Sequence, residues 1–304
     1  MEDGTVIGVD VGGSHVTSAG VRLKDFKILD GTLASGHIDN TKDRHHILRE
    51  WATIINKSIV ASGLKNWVKL GFAMPGPFNY ATGRALFKDN EKYKNLYNVS
   101  IREALAAYIT ASNIEMRFMN DAAAFGVGTT VTEKAKQHKK VIVLTLGTGF
   151  GAAFLKNGLP LQSGKGVPVG GCLWDKPFKD GIADHYFSTR WHLARYNALS
   201  GRYIKGVKEM TQLKNEHSAT VFEEFGTNMA HFLTSYLKVF EPDAIIFGGN
   251  ISKAATYFLP PFIEALGKGA KTLDISVSPL TEEKALTGAS KLYDAHFWNA
   301  YHWG

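Results

Sequence analysis

The chain has 304 residues, 44% of them hydrophobic and 21% charged, which is ordinary for a soluble globular protein and long enough for two cored domains. Its one cysteine, Cys172, excludes a disulfide framework and an all-cysteine zinc site and fits a reducing interior. The net charge of +7 suits an anionic small substrate; the one dense basic run, Lys134–Lys140, reads as a solvated loop rather than a nucleic-acid patch.

No apolar run reaches membrane-spanning length, and the N-terminus lacks a charged-then-apolar signal pattern. The expectation is a cytoplasmic protein with no membrane partner. In chain order, Val6–Val11 alternates as a buried strand, and Gly12-Gly13 read as a tight turn at its end. His15–Leu23 and Phe26–Leu29 follow as two further short strands, so three antiparallel strands are expected in a row. Ile47, Leu48, Trp51, Ile54, Ile55 and Ile59 recur at helical spacing, and Ser62-Gly63 closes that helix. Trp67–Ala73 is a strand, stopped by Met74-Pro75-Gly76-Pro77. The polar segment Phe78 to Tyr97 is long for a structureless connection, and such loops are often functional. A helix from about Ser100 carries Ile101, Leu105 and Tyr108 on one face. Ile114–Met119 is a strand, and Asn120-Asp121 lead into a short helix over Ala122–Val127.

The order then begins again. Val141–Leu146 is a strand leading into Thr145 to Gly151 (T-L-G-T-G-F-G), and Ala152–Leu155 is its hairpin partner. Gly158 to Gly171 is glycine-rich and irregular. Helices are expected over about Gly181 to Asn197 and about Ala219 to Phe240, the second with a broad apolar face. Ala244–Phe247 is a strand ending in Gly248-Gly249-Asn250. A helix to Leu266, a strand Thr272–Val277 and a terminal helix from about Thr281 complete the chain.

Three strands thus end in glycine clusters, and ligands of α/β sheets collect at the carboxyl ends of strands. The first cluster offers backbone N–H groups and the Ser14 hydroxyl to an anion. Asp10 repels a bare phosphate, so it belongs in such a cradle only with a divalent cation between them. A plain hairpin turn explains the same residues. The cluster is neither a Walker loop nor a dinucleotide fingerprint. Gly147-Thr148-Gly149 is a second phosphate cradle or a hairpin turn. Gly248-Gly249-Asn250 is an adenine-bordering backbone or a turn with Asn250 as helix cap. Asp121, at a strand end, is placed to take a proton from an alcohol or else caps its helix. No histidines stand at zincin spacing, and packing or solvated roles fit them better.

Taken together and in order, V-I-G-V-D-V-G-G-S-H-V-T, A-M-P-G, N-D-A-A-A-F-G-V-G, L-T-L-G-T-G-F-G-A-A-F and P-D-A-I-I-F-G-G-N-I closely resemble the ROK family of bacterial sugar kinases, polyphosphate glucokinases and sugar-responsive repressors. The resemblance covers nearly the whole chain. It implies an α/β, two-lobed actin-like ATPase (ribonuclease H-like) fold with duplicated mixed sheets flanked by helices, the lobes closing over a sugar. The small lobe is expected over residues 1–122, completed by the C-terminal helix at about 285–304, and the large lobe over 123–284. The resemblance further implies ATP and Mg²⁺ as cofactors, with polyphosphate as an alternative donor, a small-molecule sugar partner and a homodimer. By position, Asp10 faces Mg²⁺, through water; Gly12, Gly13 and Ser14 hold the γ-phosphate; Gly147, Thr148 and Gly149 hold the inner phosphates; Gly248, Gly249 and Asn250 border adenosine. Asn120 binds a sugar hydroxyl with Gly76 nearby, and Asp121 is the general base.

The departures are specific. The family's G-E-x-G-H element matches Val167 to Gly171 (V-P-V-G-G), so Pro168 and Gly171 replace its Glu and His. Its zinc-binding cysteine cluster is missing, so no structural zinc site is expected. A further family Glu matches Asp184, taken here as a shorter substitute in sugar binding. The zinc-free arrangement, with Arg190, Trp191 and Arg195 following, is nearest the polyphosphate glucokinase branch. Each lost charged sugar contact is worth roughly 1.5–3 kcal/mol. Asn90, Lys94 and Asn95 are the candidates to compensate, Asn90 foremost. The competing expectation is a catalytically weakened sugar sensor. Only five residues precede Val6, so a DNA-binding helix-turn-helix ahead of it, and direct nucleic-acid binding in that mode, are not expected.

Overall fold

A computed structural model describes residues 4–88, 93–131, 137–270, 272–278 and 281–301. The contacts divide the chain into two compact units, residues 1–136 with 282–303, and residues 137–281. The first opens with β1 (Thr5–Val11), β2 (His15–Arg22), β3 (Lys27–Ile28), β4 (Ala34–His37) and the helix α1 (Arg44–Ala61). It continues with β5 (Trp67–Met74), β6 (Phe78–Asn79), β7 (Arg84–Ala85), α2 (Ile101–Ala106), β8 (Asn113–Asn120) and α3 (Asp121–Thr130). The second unit runs through β9 (Lys140–Leu146), β10 (Phe150–Lys156), β11 (Leu159–Leu161), β12 (Pro177–Phe178), β13 (Gly181–Ile182), α4 (Ala183–Tyr186), α5 (Thr189–Ser200), α6 (Val207–Leu213), α7 (Glu216–Phe240), β14 (Ala244–Gly248), α8 (Ala255–Leu266) and β15 (Asp274–Val277). Then α9 (Thr281–Ser290) and α10 (Ala295–Ala300) return the chain to the first unit.

The two main sheets share one design. In the first the order is β3-β2-β1-β5-β8, with β4 also on β2; β1 is antiparallel to β2 and parallel to β5, and β5 is parallel to β8. In the second the order is β11-β10-β9-β14-β15, with the same senses about β9. Each is a hairpin extended by two parallel strands, and the duplicated mixed sheets expected from the resemblance are present.

Alternation along β1 sends Ile7, Val9 and Val11 to one face, where α1 buries Ile47, Leu48, Trp51 and Ile55 against them. Each such side chain contributes about 1.5–3 kcal/mol on leaving water. Asp43 starts α1 by accepting the His45 and His46 amides at 2.9 and 3.1 Å. On the opposite face of the same sheet two glycines admit α9 at close range. A Cβ on Gly8 would lie 2.4 Å from the Leu286 carbonyl oxygen, and one on Gly71 would lie 2.3 Å from that of Ala289. Helices α3 and α9 touch backbone to backbone as well, since a Cβ on Gly288 would lie 1.8 Å from the Ala124 carbonyl oxygen. Farther on, the Arg117 guanidinium lies 4.6 Å from the Tyr293 ring centroid and 4.0 Å from that of Trp298. Phe297 and Tyr301 of the aromatic terminus are buried; Trp303 lies outside the described residues.

In the second unit α7 lays Phe222, Phe225, Met229, Phe232 and Leu233 into a core shared with Phe154, Phe247, Phe258 and Phe262. Asn215 and Ser218 form its reciprocal cap, three residues before the start expected from periodicity. Other elements also differ from the sequence reading. The strand over Phe26–Leu29 contracts to Lys27–Ile28, because Phe26 turns at φ 54°. The helix expected from Gly181 to Asn197 is a two-residue strand and two helices, broken at Phe187-Ser188. The break leaves the Thr189 amide free for a long-range bond described below, which local periodicity does not encode. The segment from Phe78 to Tyr97 is no bare loop: it carries the β6–β7 ribbon and buries Phe78, Phe87 and Tyr93.

Candidate active site

In the first unit, the parallel register brings the carboxyl ends of three strands side by side. Asp10 pairs with Ala73, and Met74 with Asn120. Asn120 is the N-cap of α3: its Oδ1 accepts the Ala123 amide at 3.1 Å, and its Nδ2 donates to the Tyr80 hydroxyl at 3.1 Å and to Asp121 Oδ1 at 3.0 Å. The cap alternative for Asp121 is therefore corrected, since its neighbour fills that position. Asp121 Oδ1 also accepts the Ala122 amide at 2.8 Å, which fixes the carboxylate at the mouth of the strand. Gly76, before the cis Pro77 peptide, lies by the same Tyr80 hydroxyl, 3.6 Å from where its Cβ would be. Gly76 and Asn120 thus both lie by Tyr80, a residue the sequence reading missed.

Asp10 sits in a crowd of like charge. Burial, then Asp121, then Glu282 push its pKa up to about 7, against an opposing pull from His15. His15 Nε2 pairs with Glu282 Oε1 at 3.3 Å, and Thr17 Oγ1 donates to Glu282 Oε2 at 3.2 Å. The Glu282 hydrogen bond raises the pKa of His15. Among the described residues no group of three or more His, Cys, Asp or Glu side chains is arranged to hold a metal ion. A crowded buried carboxylate fits a divalent cation, and such an ion would rest on Asp10, with phosphate oxygens and water filling its shell.

The turn after Asp10 has a definite polarity. Its carbonyls point into the protein: Gly12 O accepts the Tyr93 hydroxyl at 2.8 Å, Gly13 O accepts Asn40 Nδ2, and Ser14 O accepts the Ile38 amide at 2.8 Å. The Gly12 amide is used by His15 O at 2.9 Å. Among the described residues nothing accepts from the Gly13 and Ser14 amides. A peptide whose oxygen is held inward presents its N–H outward, and two such groups in succession form an anion-binding concavity. A Cβ on Gly12 would lie 2.7 Å from the His15 ring, so that position admits only glycine without movement.

In the second unit Gly147, Thr148 and Gly149 form the β9–β10 turn, closed by a Gly147 N–H to Gly149 O bond of 3.0 Å. The Thr189 amide and hydroxyl both donate to Gly147 O, at 2.8 and 2.9 Å. The space over Gly147 is open, and Thr148 is exposed. Gly249 stands at φ 86° with its Cβ position 2.3 Å from Leu146 O, and its amide donates to Thr281 Oγ1 at 2.9 Å. Glycine at 249 is therefore required by the fold itself, next to Gly248 at the end of β14. Asn250 stands at the N-cap of the 3-10 turn Ile251–Ala254, as the cap alternative expected, but its side chain makes no capping bond; its Oδ1 accepts from Lys253 Nζ at 2.9 Å.

The remaining assignments fare unevenly. Asp184 is committed to the fold: Oδ1 accepts the Phe150 amide at 2.6 Å and Oδ2 accepts Arg190 Nη2 at 2.6 Å. Asn95 Nδ2 is bonded to the Thr41 and Lys42 carbonyls at 2.9 and 2.8 Å. Asn90 lies outside the described residues. Gly171 stands at φ 61°, with its Cβ position 2.1 Å from Leu161 O, so the backbone there leaves no room for any side chain.

His192, in the first turn of α5, is fully buried and has no partner for Nε2 among the described residues. Burial pushes its pKa down to about 4, below the ordinary 6.5. The folded chain thus holds it neutral while the unfolded chain takes up a proton below pH 6.5. Stability is expected to fall as the pH drops from 6.5 towards 4, by up to about 3 kcal/mol. Urea unfolding at pH 7 and pH 5 checks this, and His192→Phe is expected to shrink the difference between them.

The folds of known proteins agree with this architecture. The structure superimposes on a ROK family glucokinase from Streptomyces griseus, solved with glucose and AMPPNP, with a TM-score of 0.72 at 17% identity, over 95% of this chain and 98% of that one. The chain therefore has the actin-like ATPase fold of that group. The ROK family model matches residues 6–171 and 181–296, and the chain belongs to the ROK family. It is 24% identical to the glucokinase of Thermotoga maritima, over 94% of this chain and 96% of the relative. It is 25% identical to the N-acetyl-D-glucosamine kinase of Haemophilus influenzae, over 94% and 98%. No described helix is long and apolar enough to cross a membrane.

Proposed function

We propose that this chain is an ATP-dependent carbohydrate kinase, transferring the γ-phosphate of Mg-ATP, or a terminal phosphate of polyphosphate, to a hydroxyl of a hexose or related sugar. The observation that carries the reading is one cluster in the first unit: Asp10 at the end of β1 and Asp121 just past the end of β8, on either side of β5, with a turn beside Asp10 that has two unspent amides. In this reading Asp121 takes the proton of the attacking hydroxyl, Asn120 orients that hydroxyl, and Gly76 borders it. The Gly13 and Ser14 amides and the Ser14 hydroxyl hold the γ-phosphate in line. Mg²⁺ on Asp10 supplies charge neutralisation on the transferring group. In the second unit Gly147 to Gly149 take the inner phosphates, and Gly248, Gly249 and Asn250 border adenosine. Asp184, which also bonds Phe150 and Arg190, and Asn90 are the further sugar contacts in this reading. A cytoplasmic setting and a homodimer complete it.

A second reading, a weakened sugar sensor, is favoured by Gly171, whose backbone excludes the family's His. Phosphoryl transfer across hexoses, hexosamines and N-acylated amino sugars, with Mg-ATP and with polyphosphate, separates the two. Turnover of one sugar class supports the kinase. Sugar binding by calorimetry with no turnover from either donor supports the sensor.

A further inference from the structure

The carbonyls of the Gly12–Ser14 turn are held by residues distant in sequence, and two of the three donors are side chains. Tyr93 is fully buried, its ring set edge-on to Trp51 at 5.2 Å and tilted against Phe87 at 6.0 Å. Burial raises the pKa of its hydroxyl, so it stays protonated and donates to Gly12 O throughout the working pH range. Tyr93 begins a short turn over Lys94–Leu96, and two residues on Asn95 grips the Thr41 and Lys42 carbonyls. The 39–42 stretch in turn sends Asn40 Nδ2 to Gly13 O. Residues 93–96, the 39–42 stretch and the glycine turn are thereby closed into one hydrogen-bonded ring.

We propose that Tyr93 and Asn40 are positioning residues that aim the Gly13 and Ser14 amides at an oligophosphate, and that through Tyr93 the segment following β5 sets the geometry of this cradle. Removing either donor frees a carbonyl to rotate outward, and an outward carbonyl both withdraws an amide and turns a negative dipole on the anion. The proposal rests on the kinase reading for the identity of the natural donor, but its test does not need turnover.

The test is calorimetric titration of the full chain with inorganic tripolyphosphate in the presence of Mg²⁺. The wild-type chain is expected to bind. Tyr93→Phe, which keeps the ring, and Asn40→Ala are each expected to bind about tenfold more weakly, the equivalent of about 1.4 kcal/mol, with thermal unfolding showing an intact fold. Tyr108→Phe removes a hydroxyl that, among the described residues, bonds His45 at 2.9 Å and none of the turn's carbonyls, and is expected to change nothing. If turnover is found, the donor KM is expected to rise in the two variants while sugar affinity measured without donor stays constant, a split that general loosening does not produce. Unchanged tripolyphosphate affinity in both variants, an equal loss in Tyr108→Phe, or no binding by the wild-type chain overturns the proposal. Binding that weakens as expected in a chain that phosphorylates no sugar leaves this inference standing and removes the kinase reading.

Discussion

Asp121→Asn is expected to lower sugar phosphorylation by a factor of about 10²–10⁴ while nucleotide binding persists. A positioned general base contributes on that scale, and the rest of a phosphoryl-transfer rate comes from alignment and charge neutralisation. The substitution is a clean probe because the structure shows what it preserves. Asp121 Oδ1 accepts the Ala122 amide at 2.8 Å, and an asparagine oxygen accepts the same bond. The Asn120 cap on Ala123 is untouched. What is lost is the ability to take a proton, together with the negative charge that helps to raise the Asp10 pKa. Steady-state turnover with the preferred sugar, set beside calorimetric nucleotide affinity, reads the two effects separately. Turnover at the wild-type rate would remove Asp121 from the chemistry.

Gly288→Ala is expected to destabilise the chain by about 3 kcal/mol or more, in the upper range of overpacking penalties. The sign is the informative part. In an exposed helix interior, alanine for glycine stabilises by roughly 1 kcal/mol. Here the added Cβ would fall 1.8 Å from the Ala124 carbonyl oxygen, so α3 and α9 must separate to admit it. Backbone cannot step aside as a side chain can. Gly128→Ala, whose Cβ position is 1.9 Å from Lys284 O, is expected to behave alike. The double variant should cost less than the sum, because one separation relieves both clashes. Urea denaturation of the four proteins is sufficient, and a stabilised Gly288→Ala would show that the two helices do not meet at this point.

Much of this was legible in the residues. The strands β1, β5, β8, β9 and β14 lie within a residue of their expected ends, and α1 buries every residue its spacing put inward. The order of the glycine clusters was enough to name a family and, with it, the fold. The elements that failed were those whose ends are set from a distance. The break at Ser188 exists for a bond to Gly147, over forty positions earlier in the chain. Tyr80, Tyr93, Asn40 and Glu282 passed unnoticed because nothing in their neighbours' chemistry sets them apart. Only pairing across the sheet, or the return of α9, brings them to Asp10 and the turn. Asp184 drew attention by its position in a motif, whereas its bonds to the Phe150 amide and Arg190 are set by the fold and were not legible there.

The return of α9 has a consequence for the order in which the protein can be made. Residues 137–281 hold all five strands of their sheet and the helices that cover it, so that unit can finish its core while the ribosome is still at work. The first unit cannot. Gly8, Gly71 and Gly128 are translated before the second unit, but the helix that rests on them is translated only after it. Until then one face of the β1–β5 sheet awaits a partner not yet synthesised. The unit that begins first is the one that must finish last, and a nascent chain stalled before Glu282 is expected to present a folded second unit and a protease-sensitive first one.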